Sequence, residues 1–126
     1  MKFKVVLPIL GFEDIKEFEL KEVSENFYTL KNEEKNLTFT LVNPFFLRDY
    51  GFEISDNEQK KLELDDNANF LVLNILIVNN PFIESTVNFA APLIFNLDKK
   101  IMGQVVLEKS NYSLMEKLRD FVKNEE

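Results

Sequence analysis

The chain has 126 residues, 45% of them hydrophobic, with 22 acidic against 15 basic side chains and a net charge of −7. That length suits one domain, residues 1–126, whose core removes about two-thirds of the unfolded surface from water, and its charge opposes direct nucleic-acid binding. Neither cysteine nor histidine occurs, which removes disulfides, thiolate metal sites, the usual hydrolase triads and the commonest general base, and points to a reducing, cytoplasmic setting.

The amino terminus, Met1-Lys2-Phe3-Lys4 followed by Val5 to Leu10, superficially resembles a signal peptide. Pro8, Gly11 and the acidic Glu13-Asp14 interrupt it, and no small-residue cleavage site follows, so it reads as a first strand in which Phe3, Val5 and Leu7 alternate with lysines. Phe18 and Leu20 alternate with Glu17, Glu19 and Lys21. Phe27 to Leu30 leads through a polar turn containing Glu33 and Glu34 into Leu37 to Val42, which predicts a strand, turn, strand meander. Asn43-Pro44 closes it, because proline offers no amide hydrogen to a ladder.

Ser55 and Glu58 have the spacing of a capping box, predicting a short helical turn near 55–64. Asn69 to Val78 is apolar at nearly every position, as expected of a central strand covered on both faces; it is too short to span a bilayer, so no membrane insertion is expected. Phe89 to Leu97 and Ile101 to Leu107 flank Asp98-Lys99-Lys100 and predict a hairpin, with Pro92 marking an edge or bulge. Ser113 and Glu116 repeat the capping-box spacing, and Leu114, Leu118, Phe121 and Val122 form the apolar stripe of an amphipathic C-terminal helix. These elements describe one closed, mainly β domain with peripheral helix.

Little in this chain suits catalysis. The three glycines are scattered, so no phosphate cradle is formed, and acidic pairs such as Glu33-Glu34 or Asp65-Asp66 lack calcium-loop spacing. Neither a cofactor nor a metal is expected, and the chain reads as no enzyme. Thirteen phenylalanines alternate with acids or sit in apolar runs, the pattern of core packing rather than of base stacking. Asn43-Pro44-Phe45-Phe46 and Asn80-Pro81-Phe82 stand apart, since each places a turn directly before Phe. Such a Phe either folds back as a lid on the core or offers an apolar anchor to another protein. Acidity is uneven: residues 1–68 hold 15 Asp/Glu against 9 Lys/Arg, residues 69–126 hold 7 against 6. That imbalance either solvates exposed turns or favours a basic protein partner.

Four segments in order resemble the FliW family of flagellar assembly factors. They are Pro8-Ile9-Leu10-Gly11-Phe12-Glu13; Leu41 to Phe45 with Leu47-Arg48 and Tyr50; Glu84 to Phe89 with Ala91-Pro92 and Phe95-Asn96; and Lys99 to Met102 with Gln104 to Leu107. Ala90 and Gly103 depart from the family pattern in ways that touch packing. The resemblance implies a β-barrel-like fold and a cytoplasmic, chaperone-like regulator, monomeric when free, that binds the C-terminal region of flagellin. When flagellin is exported, the freed protein would bind the RNA-binding regulator CsrA away from its RNA site and relieve repression of flagellin translation. Asn43, Pro44, Phe45 and the segment Glu84, Ser85, Thr86, Val87, Asn88 are the candidate protein-binding residues, although Thr86, Val87 and Phe89 also read as plain strand packing. Glu33 and Glu34 are candidates for meeting a basic partner. A small-molecule-binding β-barrel is the alternative reading, and a carboxylate-dependent enzyme is a more distant one.

Overall fold

A computed structural model of the chain describes residues 1–122. Nine strands form one sheet: β1 (Lys2–Leu7), β2 (Glu17–Ser24), β3 (Phe27–Asn32), β4 (Leu37–Val42), β5 (Phe70–Ile77), β6 (Thr86–Val87), β7 (Leu93–Asn96), β8 (Ile101–Gln104) and β9 (Glu116–Lys117). Seven of them close a barrel in the order β4-β3-β2-β1-β8-β7-β5, because β5 also pairs with β4 through Thr40↔Leu76, Leu41↔Ile75 and Val42↔Asn74. β6 and β9 lie outside that ring as an extension from β5. The predicted meander and central strand are therefore present, and closure leaves the seven barrel strands without the open edges of a flat sheet.

Sequence alternation explains the wall. Phe18 and Leu20 point inward while Glu17, Glu19 and Lys21 face solvent, and β5, apolar on both faces, divides its side chains between two cores. Leu73, with Leu71 and Ile75 beside it, packs into the barrel with Phe3, Phe18, Phe95 and Met102. Val72 and Leu76 face an outer layer built from Leu47, Tyr50, Leu62, Phe89 and Leu118. The inner rings meet edge to face, Phe3 and Phe95 at 5.1 Å between centroids, the arrangement that the aromatic quadrupole favours.

β1 and β8 run parallel, and Leu7 pairs with Gly103 after a register shift beyond Val5. A Cβ on Gly103 would lie 2.5 Å from Leu7 Cβ, so close approach of these two strands is what the glycine permits. The capping box forms as expected: Ser55 Oγ accepts from the Glu58 amide and the helix α1 spans Asp56–Lys61. Its end is tied down by Asn96, whose Nδ2 donates to the carbonyls of Leu62 (2.9 Å) and Glu63 (3.1 Å).

Two expectations need correction. β7 begins at Leu93 and is flanked by β5 and β8, so Pro92 lies beside a central strand and not at an edge; Phe89 to Pro92 form the irregular stretch where the pairing of β5 shifts from Leu73↔Leu93 to Leu76↔Val87, while the Pro92 and Ala90 carbonyls still accept from the Val105 and Leu107 amides at 3.0 and 2.8 Å. Asn88 Oδ1 accepts from the amides of Ala90 and Ala91 at 3.1 Å each, satisfying backbone that a strand would have placed in the ladder. The C-terminal amphipathic helix is replaced, among the described residues, by β9 and a 3-10 turn at Leu118–Asp120; residues 123–126 lie outside the described residues. Ser113 and Glu116 do interact, the Ser113 amide donating to Glu116 Oε2 at 2.8 Å. Pairing of Glu116 and Lys117 with Val87 and Thr86 nevertheless takes the backbone out of helical geometry, so tertiary pairing outweighs the local capping preference.

Candidate protein-docking surface

Asn43 ends β4 and builds the first element of the surface. Its Oδ1 accepts from the Phe45 amide at 3.0 Å, capping the 3-10 turn Pro44–Phe46, and its own amide donates to the Asn26 carbonyl at 2.8 Å. Pro44 is buried at the first position of that turn, where its missing amide hydrogen costs nothing. The turn then throws Phe45 and Phe46 outward, 55% and 49% exposed.

A second 3-10 turn, Phe82–Glu84, follows the cis Asn80-Pro81 bond and leaves Phe82 48% exposed. Phe27, at the start of β3, joins the two: its ring centroid lies 6.0 Å from Phe46 and 5.9 Å from Phe82. The two Asn-Pro-Phe turns, 35 or more residues apart in the chain, thus present one aromatic surface. Phe46 and Phe82, both half exposed and both against Phe27, with Phe45 one position earlier beside Tyr50, are more apolar area than isolated surface residues present and form a candidate protein-binding patch.

Behind the patch lies a buried polar frame. The Tyr50 hydroxyl donates to the Phe89 carbonyl at 2.5 Å and accepts from Asn74 Nδ2 at 3.2 Å; burial holds this hydroxyl well above the ordinary tyrosine range. Arg48 stacks its guanidinium 5.0 to 5.1 Å from the ring centroids of Phe89, Tyr112 and Phe121, and Nη1 meets Glu116 Oε1 at 2.9 Å. A partly buried cation among three rings and a carboxylate is firmly placed, so residues 43–50 hang from a fixed base.

The candidates from sequence separate in space. Asn43, Pro44 and Phe45 stand together in the first turn, and Glu84 ends the second, paired with Arg119. Ser85 is wholly buried with its Oγ accepting from the Asn79 amide at 2.9 Å. Thr86, Val87 and Phe89 are buried, and the side chain of Asn88 turns back onto its own loop. Direct contact through the buried side chains of Ser85, Thr86, Val87 and Phe89 is not available in this conformation, and Asn88 is only partly exposed; the segment holds the second turn in place. Glu33 and Glu34 are exposed at the far end of the β3–β4 hairpin, roughly 20 Å from Asn43 at about 3.3 Å per strand residue. Phe27 joins the surface without any sequence signal, since as the first residue of a strand it resembles every other alternating Phe. Arg48 was visible only as part of a motif.

The barrel interior is filled by side chains such as Phe3, Phe18, Leu30 and Phe95. Clefts of about 350 and 540 Å³ flank α1 outside the barrel, and both open to solvent, which disfavours an enclosed small-molecule site. Among the described residues no three acidic side chains gather to hold a metal ion, and no helix is long and apolar enough to cross a membrane.

The family model described as FliW protein matches residues 2–118. A flagellar assembly factor FliW of Sulfurimonas denitrificans is 44% identical over 125 residues, covering 98% of this chain and 99% of the relative. A flagellar assembly factor FliW 2 of Wolinella succinogenes is 50% identical over 113 residues, covering 89% and 83%. A crystal structure of the flagellar assembly factor FliW superposes with a TM-score of 0.87 at 28% identity, covering 93% of this chain and 84% of that one.

Proposed function

We propose a function that proceeds from one premise: this chain belongs to the FliW family. It is a flagellar assembly factor and acts by binding other proteins, not as an enzyme. We infer further that it works in the cytoplasm, monomeric when free, by holding the C-terminal region of flagellin and by antagonising the translational regulator CsrA, so that flagellin synthesis follows export.

The observation that carries the flagellin arm is the exposed aromatic surface of Phe46 and Phe82 around Phe27, continued by Phe45 beside Tyr50. An apolar segment that becomes ordered only on docking needs anchors of this kind, rigid and exposed on a fixed base. Isothermal titration with a flagellin C-terminal peptide tests it. Phe45→Ala is expected to weaken binding by about 2 kcal/mol or more while the melting temperature changes little, because the side chain is mostly outside. A collapse of the melting temperature would show that Phe45 belongs to the fold, and unchanged affinity would move the flagellin site elsewhere.

The CsrA arm rests on charge. A protein that binds RNA carries basic patches, and the acidic first half of this chain attracts them through a field that salt screens within about 10 Å or less. Association with CsrA should therefore slow between about 50 and 300 mM salt, with dissociation changing less. Salt-independent association kinetics would remove this arm.

A further inference from the structure

The tail that ends the described chain is fastened by few backbone bonds and by side chains of specific chemistry. Glu116 and Lys117 pair with Val87 and Thr86 on β6, and the Leu118 amide donates to the Ser85 carbonyl at 2.9 Å. Two registered pairs hold β9, against six between β3 and β4. Side chains add the rest: Leu118 is buried in the outer layer, Phe121 packs on the Phe89 ring and under Arg48, Glu116 meets Arg48, and Arg119 meets Glu84. Leu114 and Met115 at the start of this tail are 60% and 63% exposed.

Each of these side chains meets a receptor belonging to the body of the fold. Arg48 is positioned by the Phe89 ring, Glu84 by its 3-10 turn, and the Leu118 site is lined by residues of the same outer cluster, Val87 and Phe89 among them. Without the tail Arg48 would keep the Phe89 ring and lose Glu116 and Phe121, leaving a basic, an apolar and an acidic position open along one strand edge. The fit is also incomplete. Thr86 is 8% exposed, yet its hydroxyl oxygen has no hydrogen-bond partner, although it lies on the very strand that the tail covers. Buried polar atoms are nearly always satisfied, and among the described residues Asn74 Oδ1, on the strand paired with β6, is the other one without a partner.

We propose that β6 is a strand-accepting edge whose resident occupant is the chain's own tail, and that an extended partner segment of matching pattern exchanges with it. The pattern is an acidic residue for Arg48, a leucine-sized apolar residue two positions later for the Leu118 site, and a basic residue next to that for Glu84. Main-chain pairing supplies the attachment and alternate side chains the selectivity, the usual division of labour in strand addition. The tethered tail competes at an effective concentration in the millimolar range, so only a segment that matches all three positions displaces it. This edge is independent of whether the aromatic surface serves flagellin.

The probe is a fluorescein-labelled synthetic peptide copying residues 112–122, titrated by anisotropy into the full chain. Leu118→Ala loosens the resident and should bind the peptide at least tenfold more tightly than the unaltered chain. A peptide carrying Glu116→Lys and Arg119→Glu should bind that variant at least tenfold more weakly. A second full-chain variant, Thr86→Cys with Lys117→Cys, locks the resident in a protein that has no other cysteine. Residues 85 and 118 form the hydrogen-bonded pair, so 86 and 117 are the closer, non-hydrogen-bonded kind, about 4.5 Å between Cα atoms and within a disulfide's reach. Oxidation of this variant should cost at least tenfold in peptide binding, restored by reductant. Equal binding by oxidised and reduced forms, no gain in Leu118→Ala, or indifference to the charge-reversed peptide would each overturn the proposal. So would an unfolded Leu118→Ala chain, since an occupant that leaves cannot hold the barrel together, and so would failure of the disulfide to close, which would deny the register on which the edge depends.

Discussion

The two cores of this protein are organised on different principles although β5 and β7 contribute to both. Inside the barrel the apolar cluster runs from Phe3 through Leu41 to Met102, and most of its side chains come from strands whose alternation aims them inward. In the outer layer apolar residues are placed by polar hubs: Tyr50 and Asn74 fasten the loop after β4, Asn96 fastens the end of α1, and Arg48 gathers Phe89, Tyr112 and Phe121. The contrast teaches that a closed barrel needs only the right apolar volume, whereas loops laid on its outside need directional bonds to choose one arrangement. The outer layer is also where both Asn-Pro-Phe turns and the tail hang, whereas Glu33 and Glu34 sit on a barrel hairpin.

Four variants test that division. Phe95→Ala, in the barrel and in edge contact with Phe3, should cost about 3–5 kcal/mol, the range for deleting a buried aromatic ring, read as a fall in the urea midpoint with little change in slope. A smaller loss than in the outer-layer variants would break the comparison. Gly103→Ala should cost about 1–3 kcal/mol by overpacking, because its Cβ would press on Leu7 Cβ and come within 3.1 Å of the Leu7 amide nitrogen. Chemical denaturation decides this, and a neutral result would mean that the β1–β8 contact yields easily.

Tyr50→Phe keeps the ring and removes the hydroxyl, leaving the Phe89 carbonyl unpaired; about 1–2 kcal/mol is expected. It should also change the alkaline limb of stability. The folded-state pKa of Tyr50 is raised by burial, so the folded protein holds this proton more tightly than the unfolded chain does. The contribution is intact below the unfolded tyrosine value of about 10 and is lost as pH rises beyond it. Melting temperatures measured from pH 7 to 11 should therefore decline less steeply above pH 10 in Tyr50→Phe, and parallel curves would show that Tyr50 is not the sensitive group. Smallest of all, Glu33→Lys with Glu34→Lys should change stability by no more than about 0.5 kcal/mol, since both carboxylates are exposed and Glu33 meets only Lys31 at 3.9 Å. The same variant should slow association with CsrA while leaving flagellin binding nearly intact; equal loss of both would end the argument for separate surfaces.

Much of the barrel was legible in the chain because period-2 alternation carries its own answer. Phe3-Val5-Leu7, Phe18-Leu20 and Leu37 to Val42 fall in strands, and the doubly apolar run of β5 is covered on both faces as expected. Asn43-Pro44 ended its strand and Ser55-Glu58 began its helix for reasons contained in a few consecutive residues. The tail failed for the opposite reason. Its helical spacing was real, but the local preference for a short helix is marginal, and pairing with β6 together with burial of Leu118 outweighed it.

What the sequence determined by itself was therefore the set of strands, the turn chemistry, the absence of histidine and cysteine chemistry, and the order of motifs that mark the family. What only the tertiary structure decided was which of those motifs meet. Phe46 and Phe82 come together through Phe27, Arg48 finds Glu116 across 68 residues, and Ser85 to Phe89 turn inward beneath the tail instead of outward to a partner. The physical reason is that alternation and capping act between neighbours in the chain, while barrel closure and the packing of loops on its outer face depend on contacts between distant residues that no local pattern encodes.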